Sequence, residues 1–270
     1  MHSRTRTALA AIVLAAIAAA CGGVRNPLAT EYEYEEDLTI SMDGSATLVV
    51  NASVVALDAL RGLSLNPDLA ERADQLRDEV RARYESPYAT VGRISSWTRR
   101  GRRFVGIRLR VPDIRSLPKA APFSWAKYEL TAEGDQVTFR QTLSKPPAPA
   151  VPMPAWRGDE IVAFRLHLPA RIRFQNSRYL DGGESRPASR GNILTWEQRL
   201  QQRLEGKPIA YAEDRTPDVM EARMDRESIL YRTLWLFGIA FSAALLVLAG
   251  LIWLTMRRGR DEPEEPTIAH

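Results

Sequence analysis

The 270-residue chain has very little cysteine, histidine or lysine. Its one cysteine, Cys21, excludes an intramolecular disulfide, so any folded region relies on an apolar core. Of the three histidines, His2 and His270 lie at the termini and only His167 is internal. Cys/His zinc sites and Ser-His-Asp triads are thereby excluded or strained. The sequence also lacks a Gly-rich phosphate loop, a His-Glu-x-x-His pair and a nucleophile elbow. No catalytic residue, metal or cofactor is therefore expected. Lysine occurs only at Lys119, Lys127, Lys145 and Lys207, so nearly all positive charge is arginine. The net charge of +4 is small and spread along the chain, which argues against nucleic acid as a partner. A hydrophobic content of 45% excludes a disordered chain.

What is present begins at the two ends. In residues 1–21, Arg4 and Arg6 precede an apolar stretch from Ala8 to Ala20, the pattern of a secretory signal. The stretch closes on Ala18-Ala19-Ala20-Cys21-Gly22-Gly23, similar to a bacterial lipobox in which the cysteine is lipidated. Ala18 stands where such boxes usually carry leucine. Three readings stay open: lipidation of Cys21, cleavage without a lipid, or an uncleaved anchor. At the other end, Leu234–Met256 holds no charge. As a helix it reaches roughly 34 Å, enough to cross a ~30 Å hydrocarbon core. Tyr231 and Trp235 sit at one end and Trp253 at the other, matching interfacial aromatic belts. A transmembrane helix over 231–256 is expected. Gly238 and Ser242 form a small-xxx-small pair, so residues 234–256 are also a candidate contact for a membrane-protein partner. Arginines flank both sides of the span, so orientation rests on the signal. The signal exports residues 22–230 and leaves 257–270 as a cytoplasmic tail. The expected address is the bacterial plasma (inner) membrane, single-pass.

Between the ends, period-two alternation dominates. Tyr32, Tyr34, Leu38, Ile40 and Met42 share one strand face, and Asp43-Gly44 marks a hairpin into Leu48, Val50, Ala52 and Val54. Asn66, Pro67 and Asp68 then open an amphipathic helix through Leu69, Ala73, Leu76, Val80 and Tyr84. Strands follow at 90–98, 104–111, 125–131 and 136–143, pairing in sequence. A proline-rich connection spans Lys145–Gly158. Strand patterning resumes at 162–168, 174–180 and 192–196. A short helix at 196–204, a strand at 208–212 and a polar helix at 218–230 complete the reading. The expected fold class is α+β: one curved, mostly antiparallel sheet with a covering helix on its concave face, plus one C-terminal transmembrane helix.

Two positions invite a functional reading. Glu36 is in phase with Tyr34 and Leu38, so burial would raise its pKa unless an edge position or a bulge turns it to water. Arg93, Arg99, Arg100, Arg102 and Arg103 crowd around Gly101 with Trp97 near by. They form a candidate contact for anionic lipid head groups, weighed against a plain solvated turn. His167 alternates with Arg165 on the polar face and reads as a surface histidine.

The layout resembles the LppM-like family of bacterial envelope lipoproteins. The shared features are the Cys21 lipobox, the opening hairpin DLTISMDGSATLVV at Asp37–Val50, a mostly β exported domain, and a C-terminal span followed by arginines. The resemblance implies a helix-grip-like fold and binding of envelope glycolipids, and it carries over no catalytic residue. The expected function is a non-enzymatic, membrane-anchored envelope protein binding a lipid or glycolipid-type ligand. The alternatives are an accessory subunit of a membrane complex and, last, a carboxylate hydrolase using Glu36.

Overall fold

A computed structural model describes residues 31–63, 65, 73–146, 156–181, 183–187 and 193–258. The chain divides into two units, Met1–Tyr32 and Glu33–His270, and the first contributes only Glu31 and Tyr32 to the described residues. The signal segment, Cys21, the helix start at Asn66, most of the proline-rich connection and the tail beyond 258 lie outside them.

Strands β1 (Tyr34–Ile40) and β2 (Ala46–Ser53) form the expected hairpin. Gly44 takes a positive φ of 93° in its turn, and the Asp43 carboxylate accepts from Ser45 N at 2.9 Å. Where the sequence reading runs the second strand to Val54, the chain instead turns into a short helix, α1 (Val54–Arg61). Ser53 caps it by accepting from Ala56 N at 3.1 Å. Gly62, in the left-handed region, closes it by donating to Asp58 O at 2.8 Å. Helix α2 (Ala73–Tyr84) buries Leu76, Val80 and Tyr84, the face the sequence assigns to it.

Next come β3 (Thr90–Arg99), β4 (Arg102–Val111), two 3-10 turns at Ile114–Lys119 and Ala121–Phe123, β5 (Ala126–Glu133) and β6 (Gln136–Leu143). After the proline-rich connection follow β7 (Ile161–His167), β8 (Ala170–Gln175), β9 (Arg178–Asp181), β10 (Glu184–Pro187) and β11 (Ile193–Arg199). A short helix α3 (Leu200–Leu204), strand β12 (Val219–Ser228) and the long helix α4 (Ile229–Arg258) end the described chain.

The fold is α+β, but with two open sheets where one was expected. The larger runs β10-β9-β11-β7-β1-β2-β4-β3 and the smaller β5-β6-β12-β8. Strands β4 and β5 therefore do not pair, and β1 runs parallel to β7. Inward side chains of both sheets and of α1 and α2 form one contiguous core, from Leu48, Val50 and Ile107 to Phe139 and Met220. A second sheet thus shares the covering role given to the helix alone.

Three further readings are corrected. The expected strand at 174–180 splits into β8, in the small sheet, and β9, in the large one. Residues 208–212 hold only an isolated bridge, Tyr211 to Pro217. The expected polar helix at 218–230 is β12, hydrogen-bonded on both sides, to β6 and to β8. Met220, Ala222 and Met224 point into the core at period two, while Glu221 and Arg223 take the other face.

Strand β12 passes into α4 with no intervening residue. Within Thr233–Arg257 of α4 an 18-residue window has a mean hydropathy of 2.4 and none of that window is buried, so this helix is long and apolar enough to cross a membrane. Trp253 carries the Arg257 guanidinium 5.4 Å above its ring.

Candidate functional site

The outer face of the large sheet is a solvated charge ladder. Glu35 pairs with Arg165 at 3.1 Å and accepts from Asn51 Nδ2 at 3.1 Å, and Asp37 meets His167 at 3.0 Å. His167 is thus a surface partner of a carboxylate, as its alternation implies. Towards the β3 edge the face changes character. Trp97 stacks on Phe104 with ring centroids 5.7 Å apart, and Arg99 lies 4.1 Å above the Phe104 ring. Gly106 makes room for this packing. A Cβ there would meet Ser95 Oγ at 2.8 Å, Asn51 Oδ1 at 2.9 Å and Trp97 Cζ3 at 3.1 Å. Gly106→Val is expected to cost about 2–3 kcal/mol by overpacking. Denaturant unfolding of the full chain in detergent checks this, and a change near zero would show that the Trp97 layer yields.

The inner face holds a charged pair inside the core. Glu36, on β1, and Arg61, the last residue of α1, lie 3.3 Å apart with side chains 4% and 3% exposed. Tyr34, two residues before Glu36 on the same strand face, donates its hydroxyl to Glu36 Oε1. The Tyr34 oxygen in turn accepts from Arg61 Nε at 2.9 Å. Arg61 also donates to Leu60 O at 2.9 Å, a carbonyl in the last turn of its own helix. The flat guanidinium lies 3.2 Å over the Trp125 ring and 4.4 Å over the Tyr34 ring. Gln141 of β6 hydrogen-bonds the same carboxylate and donates to the Tyr128 hydroxyl at 3.2 Å.

The cluster therefore draws on β1, α1, β5, β6 and the turn before β5, and it joins both sheets to the first helix. Burial pushes the Glu36 carboxyl above its ordinary 4.5, against the pull of Arg61 and of its hydrogen bonds. Burial likewise pushes the Tyr34 and Tyr128 hydroxyls far up, so both stay neutral. The result is a fixed positive charge, a carboxylate and neutral phenols converging among aromatic rings.

No family model and no curated protein sequence matches the chain. Among solved structures it is similar to the NMR structure of the folded domain of the LppM protein of Mycobacterium tuberculosis. That similarity covers 75% of this chain and 95% of that one, at 13% identity and a TM-score of 0.35. A likeness of this size transfers no residue role.

Of the five arginines singled out in the sequence, four share the β3–β4 turn and Arg93 stands apart. Arg99, Arg100 and Arg103 sit at the β3–β4 turn, where Arg100 and Gly101 both take positive φ. Arg102 lies opposite Arg99 and is engaged by acids. It pairs with Glu33 at 3.1 Å and Glu160 at 3.2 Å, and it lies 4.8 Å over Trp156. Arg93 is exposed several residues away, in a β-bulge. Glu36 is where its phase put it, whereas Arg61, Trp125, Tyr128 and Gln141 were not singled out as site residues. Their one sequence signal is Arg61 itself, a charged residue between the run Val54–Leu60, apolar except for Asp58, and Gly62.

Among the described residues no group of three His, Cys, Asp or Glu side chains is placed to hold a metal ion. A separate cleft of about 490 Å³ lies between Gln175–Arg178 and Pro208–Tyr211. Its chief polar groups are satisfied internally: Arg178 by Ser185, and Asn176 by Tyr211 O and Val219 O.

Proposed function

We propose that this chain is a plasma-membrane envelope protein that binds a lipid or glycolipid-type ligand without chemically altering it. In this reading α4 spans the bilayer, the β-rich domain lies on the extracytoplasmic side and the tail is cytoplasmic. The observation that supports binding most directly is the Arg61–Glu36 cluster. Ligand sites typically set a few convergent polar groups among apolar and aromatic side chains, and those groups orient the ligand. In the structure these groups bond one another, so a ligand would enter by taking the place of Glu36 on Arg61, whose delocalised cation suits phosphate or carboxylate oxygens. The direct junction of β12 with α4 supports a lipid source, because it holds the domain close to the bilayer.

Full-length chain purified in detergent and examined by native mass spectrometry is expected to carry a lipid-mass adduct. Arg61→Met, which keeps much of the volume and removes the donors, is expected to lose it. A wild-type chain that carries no adduct, even after incubation with a membrane lipid extract, would falsify the reading. For topology, a reporter enzyme fused before Tyr231 is expected to be active only outside the cytosol; activity confined to the cytosol sinks the envelope assignment.

A second reading, an accessory subunit of a membrane complex, draws on α4. Gly238 has open space beside it and Ser242 Oγ donates back to Gly238 O at 2.8 Å, which leaves a shallow groove in the helix. That reading expects one dominant crosslinked partner in membranes, lost when residues 234–256 are exchanged.

A further inference from the structure

We propose that the outer face of the large sheet at its β3 edge, centred on Arg93, Arg108 and Arg110, docks on the anionic head-group surface of the bilayer that α4 enters. The three arginines are exposed and have no hydrogen-bond or ion-pair partner among the described residues. In the β3–β4 ladder Val91 pairs with Leu109 and Ile94 with Ile107, so the bulge between them sets Arg93 opposite Arg108. Arg110 follows two residues along the same strand face, opposite Thr90 on one side and Thr47 on the other. Like charges opposed across strands destabilise a sheet. The acids nearest on this face, Glu35 and Asp37 of β1, are already engaged by Arg165 and His167. The intervening β2 offers only Thr47, Val49 and Asn51.

A charged edge also discourages strand pairing between molecules. That accounts for Arg93 on the edge strand, but Arg108 and Arg110 belong to β4, which is paired on both sides. An outside anion resolves all three. The side chains rise from two paired strands on an open sheet face, which suits an extended anionic surface better than a single enclosed ion.

Strand pairing places this patch at the correct end of the fold. Ser228, the last residue before α4, pairs with Ala170, three residues past the end of β7. From there the ladder runs His167 to Thr39, Ile40 to Ala46, Ala46 to Val111 and Arg110 to Thr90. Arg110 is thus at the membrane-entry end, three strands across from β7, or ~14 Å. The Arg99–Arg103 turn is at the other end of the same strands, about 27 Å further along β4. This surface is on the opposite face of the sheet from the Arg61–Glu36 cluster, so it stands or falls independently of the ligand proposed above.

The test is arginine-specific labelling by phenylglyoxal of the full-length chain in nanodiscs, read residue by residue by mass spectrometry. One set of discs holds phosphatidylcholine alone and the other adds phosphatidylglycerol. A basic residue at an anionic surface gains about a fivefold factor in occupancy. Labelling at Arg93, Arg108 and Arg110 is expected to slow about fivefold in the anionic discs, with Arg100 unchanged and the effect reversed by salt. Arg108→Glu is expected to abolish the protection of Arg93 and Arg110. Equal labelling in both discs overturns the proposal, as does protection that survives Arg108→Glu. Protection by inorganic phosphate in discs of phosphatidylcholine alone would make this a free-anion site and overturn the bilayer as its occupant.

Discussion

Arg61→Ala is expected to destabilise the chain by about 3–5 kcal/mol at neutral pH, because it leaves the Glu36 carboxylate buried without its cation. The remaining hydrogen bonds, from Tyr34 and Gln141, are to neutral groups. Replacing both partners by apolar residues, Glu36→Leu with Arg61→Met, is expected to cost much less, since neither charge then has to be desolvated. Denaturant titration of the detergent-solubilised chain, followed by tryptophan fluorescence, measures both. Equal losses for the single and the double change would show that the pair is not a coupled unit.

The sign of the pH dependence follows from the direction of the Glu36 shift. Its folded pKa lies above its ordinary 4.5, so the folded state binds the proton more tightly than the unfolded one. The contribution is therefore present below 4.5 and is lost as pH rises through the folded value. Without Arg61 the carboxyl shifts further upward, and the penalty of Arg61→Ala should shrink steadily as the solution is acidified towards 4.5. A penalty that grows on acidification contradicts this assignment.

Arg203→Ala is expected to cost about 3 kcal/mol, at the lower end of the buried-pair range because its partner Asp218 is partly exposed. Arg203 is among the most buried large side chains. It donates to Asp218 Oδ1 at 2.6 Å and to Ser144 O at 2.7 Å, tying α3 to the end of β6 and the start of β12. Asp218 also accepts from Ile209 N at 2.9 Å, and its backbone has a positive φ of 60°. One guanidinium thus secures a loop, a strained residue and a strand start. Arg203→Lys should recover less than half the loss, because a single ammonium does not reproduce the two-armed geometry. Hydrogen exchange should show faster opening of residues 207–219 in the alanine variant. A loss confined to α3 would mean that Asp218 is held by its other bonds.

The sequence made some of this architecture legible and hid the rest for identifiable reasons. The first hairpin was readable because Asp43-Gly44 and strict alternation agree. Glu36 was readable as an inward carboxylate from its phase with Tyr34 and Leu38. Its partner was not, because Val54–Arg61 continues the apolar composition of β2 and only the Ser53 cap and Gly62 mark a helix. The covering second sheet was hidden because its strands are separated in sequence, β12 from β6 by 75 residues between Leu143 and Val219. Strand β12 itself was masked by Glu221, Ala222, Arg223 and Met224, residues with good helix propensity. Pairing on both flanks overrides that preference.

Because β12 lies between β6 and β8, the long apolar helix α4 is rooted in the interior of a sheet instead of hanging from a flexible tether. Hydrogen bonds between strands run perpendicular to the chain. A pull on α4 directed along β12 would therefore load the bonds of both flanking ladders together, in shear, instead of peeling them pair by pair. Any load applied through α4 would then reach the middle of the domain, with β12 as the force-bearing member.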